Sequence, residues 1–424
     1  MPSIHFPQPD FEDDLNSPET EMPHARKPPA RLARLIGEME VLSGLGAEPG
    51  DIILSEVPVE PCELPSVYDG LQFRNSDAVR QVLKTSSESW RFEPWGWSAT
   101  AFRVAKQLGL AESEPLPSSV RVVNSRQFSA EHDAVVDFES GDNARLFGRL
   151  CLTFDEALSE VRRHAANDQG NGKWVIKANI SHAARNRILG SGPELRDEHR
   201  RWLKAQLADS PVYVEPWVER IAECGLQFTI HGNHLVDDNV RYLGAAEMIN
   251  DATGQYRGSL LRPVHDAYQP PDEIEASAWW FRSIGHGRKI AAAAASIGFK
   301  GPMGIDCMLF RSDGKLRLRL AHDINGRRTM GRLALSLRRH MPPGHWGCWC
   351  FASSKSAQLI SEAIRESSAT NVQVIPTSPS VLSGQETTLR TCLLISADWT
   401  RLNQVAQKIL SQDIRGPLNG DFSA

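Results

Sequence analysis

The segment that most constrains this chain is GIDCMLFRSDGKLRLRLAHDINGRRTMG, which spans residues 304–331. Two runs of β-forming residues flank the dipeptide Asp313-Gly314. This dipeptide favours a two-residue type I′ turn, because both central positions of that turn need a positive φ. Such a turn pairs Ser312 with Lys315, and the segment therefore predicts a long antiparallel hairpin.

Three side chains with oxygen ligands lie near the open end of this hairpin. Counting back from the turn places Asp306 opposite Ala321, with Asp323 as the diagonal neighbour of Asp306. Side chains alternate between the two faces of a strand, and diagonal cross-strand neighbours are roughly 7–8 Å apart. Asp306, Asp323 and Asn325 are therefore predicted on one face, close enough to share an ion.

The residue types in this set favour magnesium beside a phosphate. Two carboxylates and one amide carbonyl are hard oxygen ligands, and Mg²⁺ takes waters and substrate phosphates as its remaining ligands. Arg327 and Arg328 follow directly and are candidate phosphate clamps, because a guanidinium group binds phosphate oxygens in pairs. The alternative is an exposed hairpin with a polar end, so other segments have to support the metal site.

Length and composition exclude several classes of protein. The chain has 424 residues, of which 41% are hydrophobic and 23% charged, as in an ordinary protein of two or three compact units. The net charge of −5 provides no general attraction for nucleic acid. The longest apolar helical run, at 290–297, is far shorter than the roughly 20 residues that a membrane-spanning helix needs. We expect neither a nucleic-acid nor a membrane partner.

The cysteines indicate a reducing compartment. There are seven, an odd number spread through the chain, which favours reduced thiols and a cytoplasmic location. Cys348 and Cys350 form an H-x4-H-x2-C-x-C pattern with His340 and His345, which could in principle bind zinc. Packing is the favoured interpretation, because the C-x-C spacing is tight and tryptophans are interleaved with it.

Lys177 is the second unusual feature of the sequence. It lies in the apolar stretch KWVIKANI at 173–180, where a lysine costs free energy unless its ammonium group meets an anion such as a nucleotide phosphate. Taken alone, a surface lysine with its charge in water is an equal alternative. The polar segment at 181–192 could fold over phosphates through backbone N–H and guanidinium groups, although it is not a P-loop.

Strand and helix patterns alternate along the chain. The first 30 residues, rich in Pro, Asp and Glu, are interpreted as a disordered tail. The segment Pro94–Trp97 is either a recognition loop or core, and packing is favoured. Helices are predicted at 31–45, 77–84, 99–109, 153–166, 196–208, 284–297, 352–366 and 400–410, and strands at 51–57, 173–180, 211–217, 224–231 and 390–396.

Four linked signals, in this chain order, resemble the ATP-grasp superfamily: VIKA around Lys177, the polar segment behind it, VEPWVER around Glu215, and GID followed by HDINGRRTMG. The resemblance covers about residues 125–340. It implies an α/β and α+β fold class, with a pre-ATP-grasp α/β domain before a two-subdomain ATP-grasp fold. The expected parts are a tail at 1–30, the N-terminal domain at 31–125, the ATP-grasp domain at 126–340 (lid subdomain about 150–220, metal-binding subdomain about 221–340) and a small C-terminal α/β extension at 341–424.

The resemblance also implies roles for individual residues. Lys177 is expected at the α-phosphate, Glu215 at the adenine amino group, Val218 along the base and Glu223 at the ribose. Mg²⁺, or Mn²⁺ in its place, is expected to bridge the β- and γ-phosphates of ATP. The full implied set is Lys177, Glu215, Trp217, Val218 and Glu223 for the nucleotide, Asp306, Asp323 and Asn325 for the metal, and Arg327 or Arg328 for the transferring phosphoryl group.

Three positions depart from the family pattern. The second metal-binding acid is usually glutamate, whereas here it is Asp323, which is shorter by one methylene group. Gly326 replaces the usual proline after the asparagine. Many members also carry an earlier lysine near the end of the first domain, where this chain has Arg126.

The resemblance implies a reaction type and leaves one alternative. ATP-grasp ligases generally phosphorylate a carboxylate and let an amine attack the acyl phosphate, which implies small acid and amine substrates and catalysis by positioning and charge neutralisation. The alternative is a nucleotide-binding or regulatory protein with little turnover, which Asp323, Arg126 and the glycine-poor lid favour. A dinucleotide enzyme is disfavoured, because no G-x-G-x-x-G follows a strand. The sequence specifies no oligomeric state.

Overall fold

The computed structural model describes residues 1–16, 30–110, 114–144, 148–166, 172–180, 186–231, 239–251, 253–264, 277–352 and 356–410 of the chain. The chain divides into two compact units. The first unit consists of residues 1–117, 246–270 and 327–420, and the second of residues 118–245, 271–326 and 421–424. Each unit is therefore assembled from separate stretches of sequence.

The helices and strands predicted from the sequence are present, with ends shifted by a few residues. The strands are β1 Ser3–Phe6, β2 Ile52–Leu54, β3 Gln72–Arg74, β4 Arg91–Pro94, β5 Val135–Asp137, β6 Asn143–Ala144, β7 Arg149–Cys151, β8 Lys173–Ala178, β9 Arg187–Ser191, β10 Val212–Pro216, β11 Glu219–Ile230, β12 Val240–Asn250, β13 Tyr256–Leu261, β14 Gly301–Ser312, β15 Lys315–Asn325, β16 Trp346–Ala352, β17 Gln373–Pro376, β18 Val381–Leu382, β19 Gln385–Glu386 and β20 Arg390–Ser396. The helices are α1 Phe11–Asn16, α2 Ala30–Ser43, α3 Ser76–Thr85, α4 Ala99–Leu108, α5 Pro117–Val123, α6 Arg126–His132, α7 Phe154–Ala165, α8 Asp197–Asp209, α9 Phe281–Ser296, α10 Met330–Ser336, α11 Ala357–Arg365, α12 Ser367–Thr370 and α13 Trp399–Leu410.

The first unit begins with a parallel sheet in the order β3-β2-β1-β4. Strand β1 lies inside this sheet, paired with β2 and β4, and Ile4 is fully buried. The prediction that residues 1–30 form a disordered tail is therefore wrong for residues 1–16, while residues 17–29 lie outside the described part. The acidic composition was misleading because α1 buries Glu12 and Asp14, and Gln8 donates a hydrogen bond to Asp14 at 3.0 Å.

The antiparallel sheet strands of the first unit run in the order β17-β20-β16-β13, and the end of β12 pairs with β13. Cys348, Cys350 and Cys392 are fully buried in its core, and the sulfur atoms of Cys348 and Cys350 are 3.5 Å apart. All seven cysteines are free thiols. The packing interpretation of the C-x-C pattern is confirmed. Trp97 is also buried, in agreement with core packing for its segment.

The second unit contains an antiparallel sheet in the order β7-β10-β8-β9. Helix α7 starts with a capping box, in which Thr153 and Glu156 each accept the backbone N–H of the other. Trp174 and Ile176 of β8 are buried in the core that this sheet forms with α7 and α8. Because side chains alternate along a strand, Lys177 lies on the opposite face of the sheet.

The other sheet strands of the second unit run in the order β11-β14-β15-β5-β6. Strands β14 and β15 form the predicted hairpin, and helices α6 and α9 both contact β15. Within the described residues, no helix is long and apolar enough to cross a membrane.

Candidate functional site

The hairpin turn forms as predicted, but the pairing beyond it differs. Asp313 and Gly314 both have positive φ, 53° and 73°, and Ser312 pairs with Lys315. The prediction that Asp306 faces Ala321 is wrong, since Asp306 pairs directly with Asp323. Between the pairs 308↔319 and 306↔323, β14 advances by two residues and β15 by four. This irregularity shifts the register by two residues.

The shift leaves the three candidate metal ligands on one face. A shift of two residues preserves the alternation of side chains, whereas a shift of one would have reversed it. Asp306 and Asp323 are directly opposite, and Asn325 pairs with Gly304, one step along the same face. The Asn325 side-chain amide donates to Asp306 Oδ2 at 3.4 Å. The structure therefore brings the three side chains together more closely than the diagonal arrangement predicted.

The donor set is compatible with a magnesium ion. All three side chains are half-buried, and all offer the oxygen ligands that Mg²⁺ prefers. The described residues contain no group of three or more His, Cys, Asp or Glu side chains that could hold a metal by itself. An ion at Asp306 and Asp323 would therefore also use Asn325, water or ligand oxygens.

Lys177 forms an ion pair with Glu215. Its ammonium group contacts Glu215 Oε1, and the two side chains are only 13% and 6% exposed. The alternative of a surface lysine with its charge in water is therefore wrong. Burial lowers the pKa of Lys177, and the negative charge of Glu215 partly offsets this effect. The anion that compensates Lys177 here belongs to the protein.

The sequence interpretation missed Arg319, which is buried beside this pair. Arg319 Nη1 is 2.6 Å from Glu215 Oε2, and its Nε donates to both carboxylate oxygens of Asp133 at 2.9 Å. Arg319 Nη2 also donates to the Tyr213 hydroxyl at 3.3 Å. The available signal was a charged residue within the apolar alternation LRLRL of β15.

The charges of this network reinforce each other. Burial alone would raise the pKa of Glu215, but Arg319 and Lys177 outweigh it and hold that pKa well below its usual range. Burial likewise opposes the charge of Arg319, yet Asp133 and Glu215 raise its pKa above the normal value. Glu215 is therefore ionised at neutral pH, with both oxygens engaged by cations.

Arg126 connects strand β8, which carries Lys177, with the β14–β15 hairpin, which carries the candidate metal ligands. It is the first residue of α6, and its backbone N–H donates to the carbonyl of Asn179 at 2.7 Å, just beyond β8. Its Nη1 lies 2.5 Å from Asp323 Oδ1. Arg126 is thus ion-paired to a candidate metal ligand.

The remaining nucleotide-site candidates follow β10: Trp217 and Val218 lie between β10 and β11, and Glu223 lies on β11. Glu223 contacts Arg220 at 3.3 Å and lies 3.6 Å from His322 Nε2. Burial, together with the positive charges of Arg319 and other cations, holds the pKa of His322 well below its usual value, so the ring is neutral. Trp217 lies under two guanidinium groups, with Arg220 4.1 Å and Arg187 5.3 Å from the ring centre, and Val218 packs against the buried cluster of Val135, Met308 and Phe310.

Arg327 and Arg328 have carboxylate partners in the first unit. Arg327 Nε is 2.5 Å from Glu12 Oε1, and Arg328 Nη2 is 2.8 Å from Glu93 Oε2. The backbone N–H of Arg328 donates to the carbonyl of Trp95 at 2.7 Å. These contacts anchor both arginines to the first unit, and their role at a phosphoryl group stays a prediction.

The predicted lid is described only in part. Residues 181–185 lie outside the described part of the chain. Residues 187–191 form β9, an edge strand that pairs with β8 from Lys173↔Ser191 to Lys177↔Arg187. This half of the segment is therefore regular sheet rather than a flexible loop.

The two antiparallel sheets of the second unit, together with the parallel sheet of the first, define the ATP-grasp fold. The chain is similar to an N5-carboxyaminoimidazole synthetase from Staphylococcus aureus that was solved with ADP. The similarity covers 97% of this chain and 96% of that one, at 12% identity and a TM-score of 0.52. It is also similar to an N5-carboxyaminoimidazole synthase from Aspergillus clavatus that was solved with ADP and 5-aminoimidazole ribonucleotide. This similarity covers 97% of this chain and 98% of that one, at 13% identity and a TM-score of 0.51.

A third solved structure is larger than this chain. The chain is similar over 98% of its length to 38% of a pyruvate carboxylase from Rhizobium etli, at 12% identity and a TM-score of 0.52. No protein-family model and no curated protein matches the sequence. The similarity therefore concerns the fold, and the expected fold class is confirmed.

Proposed function

We propose that this protein is an ATP- and Mg²⁺-dependent ligase that activates a carboxylate as an acyl phosphate and joins it to an amine, with release of ADP. Small-molecule acids and amines are the proposed substrates. The proposal combines the ATP-grasp fold with the side chains assembled on β8, β10 and β15.

One observation carries the proposal: a single strand, β15, contributes to both halves of the candidate site. Arg319 holds Glu215, which pairs with Lys177, while Asp323 lies four residues further along the same strand, opposite Asp306. A buried ammonium group and a pair of carboxylates thus belong to one rigid framework. A polyphosphate with a divalent ion would find an ammonium group and hard oxygen ligands on this framework.

The chain's own groups suit phosphoryl transfer. Asp306, Asp323 and Asn325 would hold Mg²⁺, which when bound supplies charge neutralisation at the phosphate oxygens. Lys177 would bind phosphate with a point charge, held in place by Glu215. Trp217, Val218 and Glu223 would line the base and ribose. The protein needs no nucleophile of its own, because binding and orientation supply the catalysis.

The names of the structural neighbours support this reaction class. The neighbour from Staphylococcus aureus was solved with ADP, and its name describes a carboxyamino product, as expected when a carboxyl group is joined to an amine. The neighbour from Aspergillus clavatus was solved with ADP and a ribonucleotide. Their shared ligand is the nucleotide product that we propose for this chain.

A second candidate function is a nucleotide-binding or regulatory protein that turns over slowly or not at all. The ion pairs Lys177–Glu215 and Arg126–Asp323 favour it, since both engage side chains that a ligase would direct at its substrates. Both candidate functions include ATP binding, so a binding measurement does not distinguish them. Release of ADP separates the two.

The deciding experiment measures Mg²⁺-dependent ADP release from ATP with pooled small acids and amines. Asp306→Asn and Asn325→Ala should each lower this release by about 100-fold or more, as expected when a preorganised charge-stabilising group is removed. Asp313→Asn is the matched control, because it removes a carboxylate from the same hairpin at a turn position with φ 53°, which asparagine tolerates. If the protein binds ATP but releases no ADP with any substrate pool, the ligase proposal fails and the second candidate function takes its place. Equal rates in all variants would show that the metal residues are assigned incorrectly.

A further inference from the structure

We propose that Arg126 is an internal cation that competes with the divalent metal for Asp323. Metal binding by the protein alone is then weak, and it becomes tight only when a polyphosphate offers Arg126 another partner. This inference rests on the proposed function, since it takes Asp306, Asp323 and Asn325 as the metal ligands.

Both partners of the Arg126–Asp323 pair are held in place by their backbones. Helix α6, which starts at Arg126, is capped by Ser125, whose hydroxyl accepts the N–H of Phe128 at 3.1 Å. The hydroxyl of Ser129 on the same helix accepts the N–H of Ile324, next to Asp323, at 3.2 Å. The helix start is therefore fixed against the strand that bears the carboxylate. The pair is a built contact, with side chains 11% and 24% exposed.

Arg126 is the ion-pair partner of Asp323, and Lys177 acts on Asp323 through its charge only. Lys177 and Arg319 are both engaged by Glu215, and Arg319 is also bound by Asp133. Two cations and two carboxylates balance in that group. The two carboxylates of the metal hairpin and Arg126 together carry a formal charge of −1, against −2 without the arginine.

This charge arrangement couples the metal to the nucleotide. A divalent ion at Asp323 meets a guanidinium group on the same carboxylate, and like charges at a few ångström repel strongly. A phosphate can bind that guanidinium with two hydrogen bonds and leave Asp323 to the metal. Since coupling of two ligands is reciprocal, the metal should strengthen nucleotide binding by the same factor.

The test is a Mn²⁺ titration of the full chain, in which electron paramagnetic resonance reports the unbound ion, with and without ADP. Without ADP, Arg126→Ala and Arg126→Gln should bind Mn²⁺ about tenfold or more tightly than the wild type, because a positive charge next to the ligand is removed. Arg126→Lys should keep the weak binding. In the two neutral variants, ADP should enhance Mn²⁺ binding less than it does in the wild type.

Arg200→Ala is the matched control, because it removes an arginine of the same unit that pairs with Glu194 at 3.2 Å on helix α8. It should leave Mn²⁺ binding unchanged. Circular dichroism identifies the variants that fold. If Arg126→Ala is unstable, Arg126→Gln still tests the proposal, because glutamine retains a hydrogen-bond donor for Asp323.

Two results would overturn the proposal in different ways. If the wild type binds Mn²⁺ with ADP, but the neutral variants bind Mn²⁺ no more tightly than the wild type without ADP, Arg126 does not compete and only this inference fails. If neither the wild type nor any folded variant binds Mn²⁺ even with ADP, the proposed function fails together with it.

Discussion

Replacement of Arg319 by methionine tests the buried ion network at its centre. The Arg319 side chain is 7% exposed, and those of its partners Asp133 and Glu215 are 3% and 6% exposed. Removing one member of a buried ion pair leaves an uncompensated charge and typically costs about 3–5 kcal/mol. Arg319→Met leaves Asp133 without its cation, with only the Tyr213 hydroxyl as a donor at 3.5 Å, and leaves Glu215 with Lys177 as its one cation. We expect the free energy of unfolding to fall by about 3–5 kcal/mol near neutral pH.

The loss should depend on pH. Arg319 and Lys177 hold the pKa of Glu215 below its ordinary value of 4.5, against the opposing effect of burial. A lowered carboxyl pKa stabilises the fold above the unfolded pKa, and this stability is lost as the pH falls through the folded pKa. Without Arg319 the pKa of Glu215 should rise, so that protonation of Glu215 offsets part of the lost compensation. The difference between variant and wild type should therefore be largest near pH 7 and should shrink below about pH 4.5.

Urea denaturation followed by circular dichroism and tryptophan fluorescence measures the effect. Arg317→Met is the matched control, because it makes the same substitution two residues earlier on β15. Arg317 lies 3.8 Å from Asp137, with both side chains about one fifth exposed, and such a pair contributes about 0–1 kcal/mol. The double variant Asp133→Asn with Arg319→Met should lose less than the sum of the single changes. Equal losses for Arg319→Met and Arg317→Met would refute the reasoning.

Three further changes have defined outcomes. Lys177→Met should weaken ATP binding about tenfold or more in calorimetry, since it removes the proposed phosphate ligand, and unchanged affinity would contradict that role. Burial raises the pKa of Glu40 from 4.5 to about 7. Because the unfolded chain ionises Glu40 at a lower pH than the folded protein does, the free energy of unfolding should fall by roughly 3 kcal/mol at most as the pH rises through this interval. Glu40→Gln should flatten that pH dependence in urea titrations. A Cβ at Gly190 would lie 2.2 Å from the buried Trp174 ring, so Gly190→Ala should destabilise the fold by about 1–3 kcal/mol in the same assay, whereas Gly285→Ala, in a helix with open space around it, should not destabilise it.

Local chemistry was sufficient to predict the hairpin turn but not the pairing beyond it. Asp313-Gly314 fixes the turn through its own backbone preference, so the pair Ser312↔Lys315 followed from two residues. The two-residue register shift between Asp306 and Met308 follows from no local sequence pattern. The three candidate metal ligands still lie on one face of the hairpin, because a shift of two residues keeps the alternation of side chains.

The buried network was beyond sequence reasoning for a different physical reason. Arg319 and Asp133 are 186 residues apart in sequence, and Arg319 and Glu215 are 104 residues apart. Each residue alone resembles an ordinary surface charge on a strand or loop. Only the fold brings them into one desolvated cluster, where each charge is tolerated because the others are present.

Lys177, which the sequence marks for phosphate binding, and Arg126 are both paired with carboxylates of the same unit. The two pairs are not equivalent, since Glu215 keeps Arg319 as a partner if Lys177 turns to a phosphate, whereas Asp323 would exchange Arg126 for a metal ion. A polyphosphate with its divalent ion can therefore enter by exchange of partners at Asp323, while Glu215 stays compensated throughout. On the proposed role of Arg126, its guanidinium group would hold the Asp323 carboxylate until metal and nucleotide arrive together.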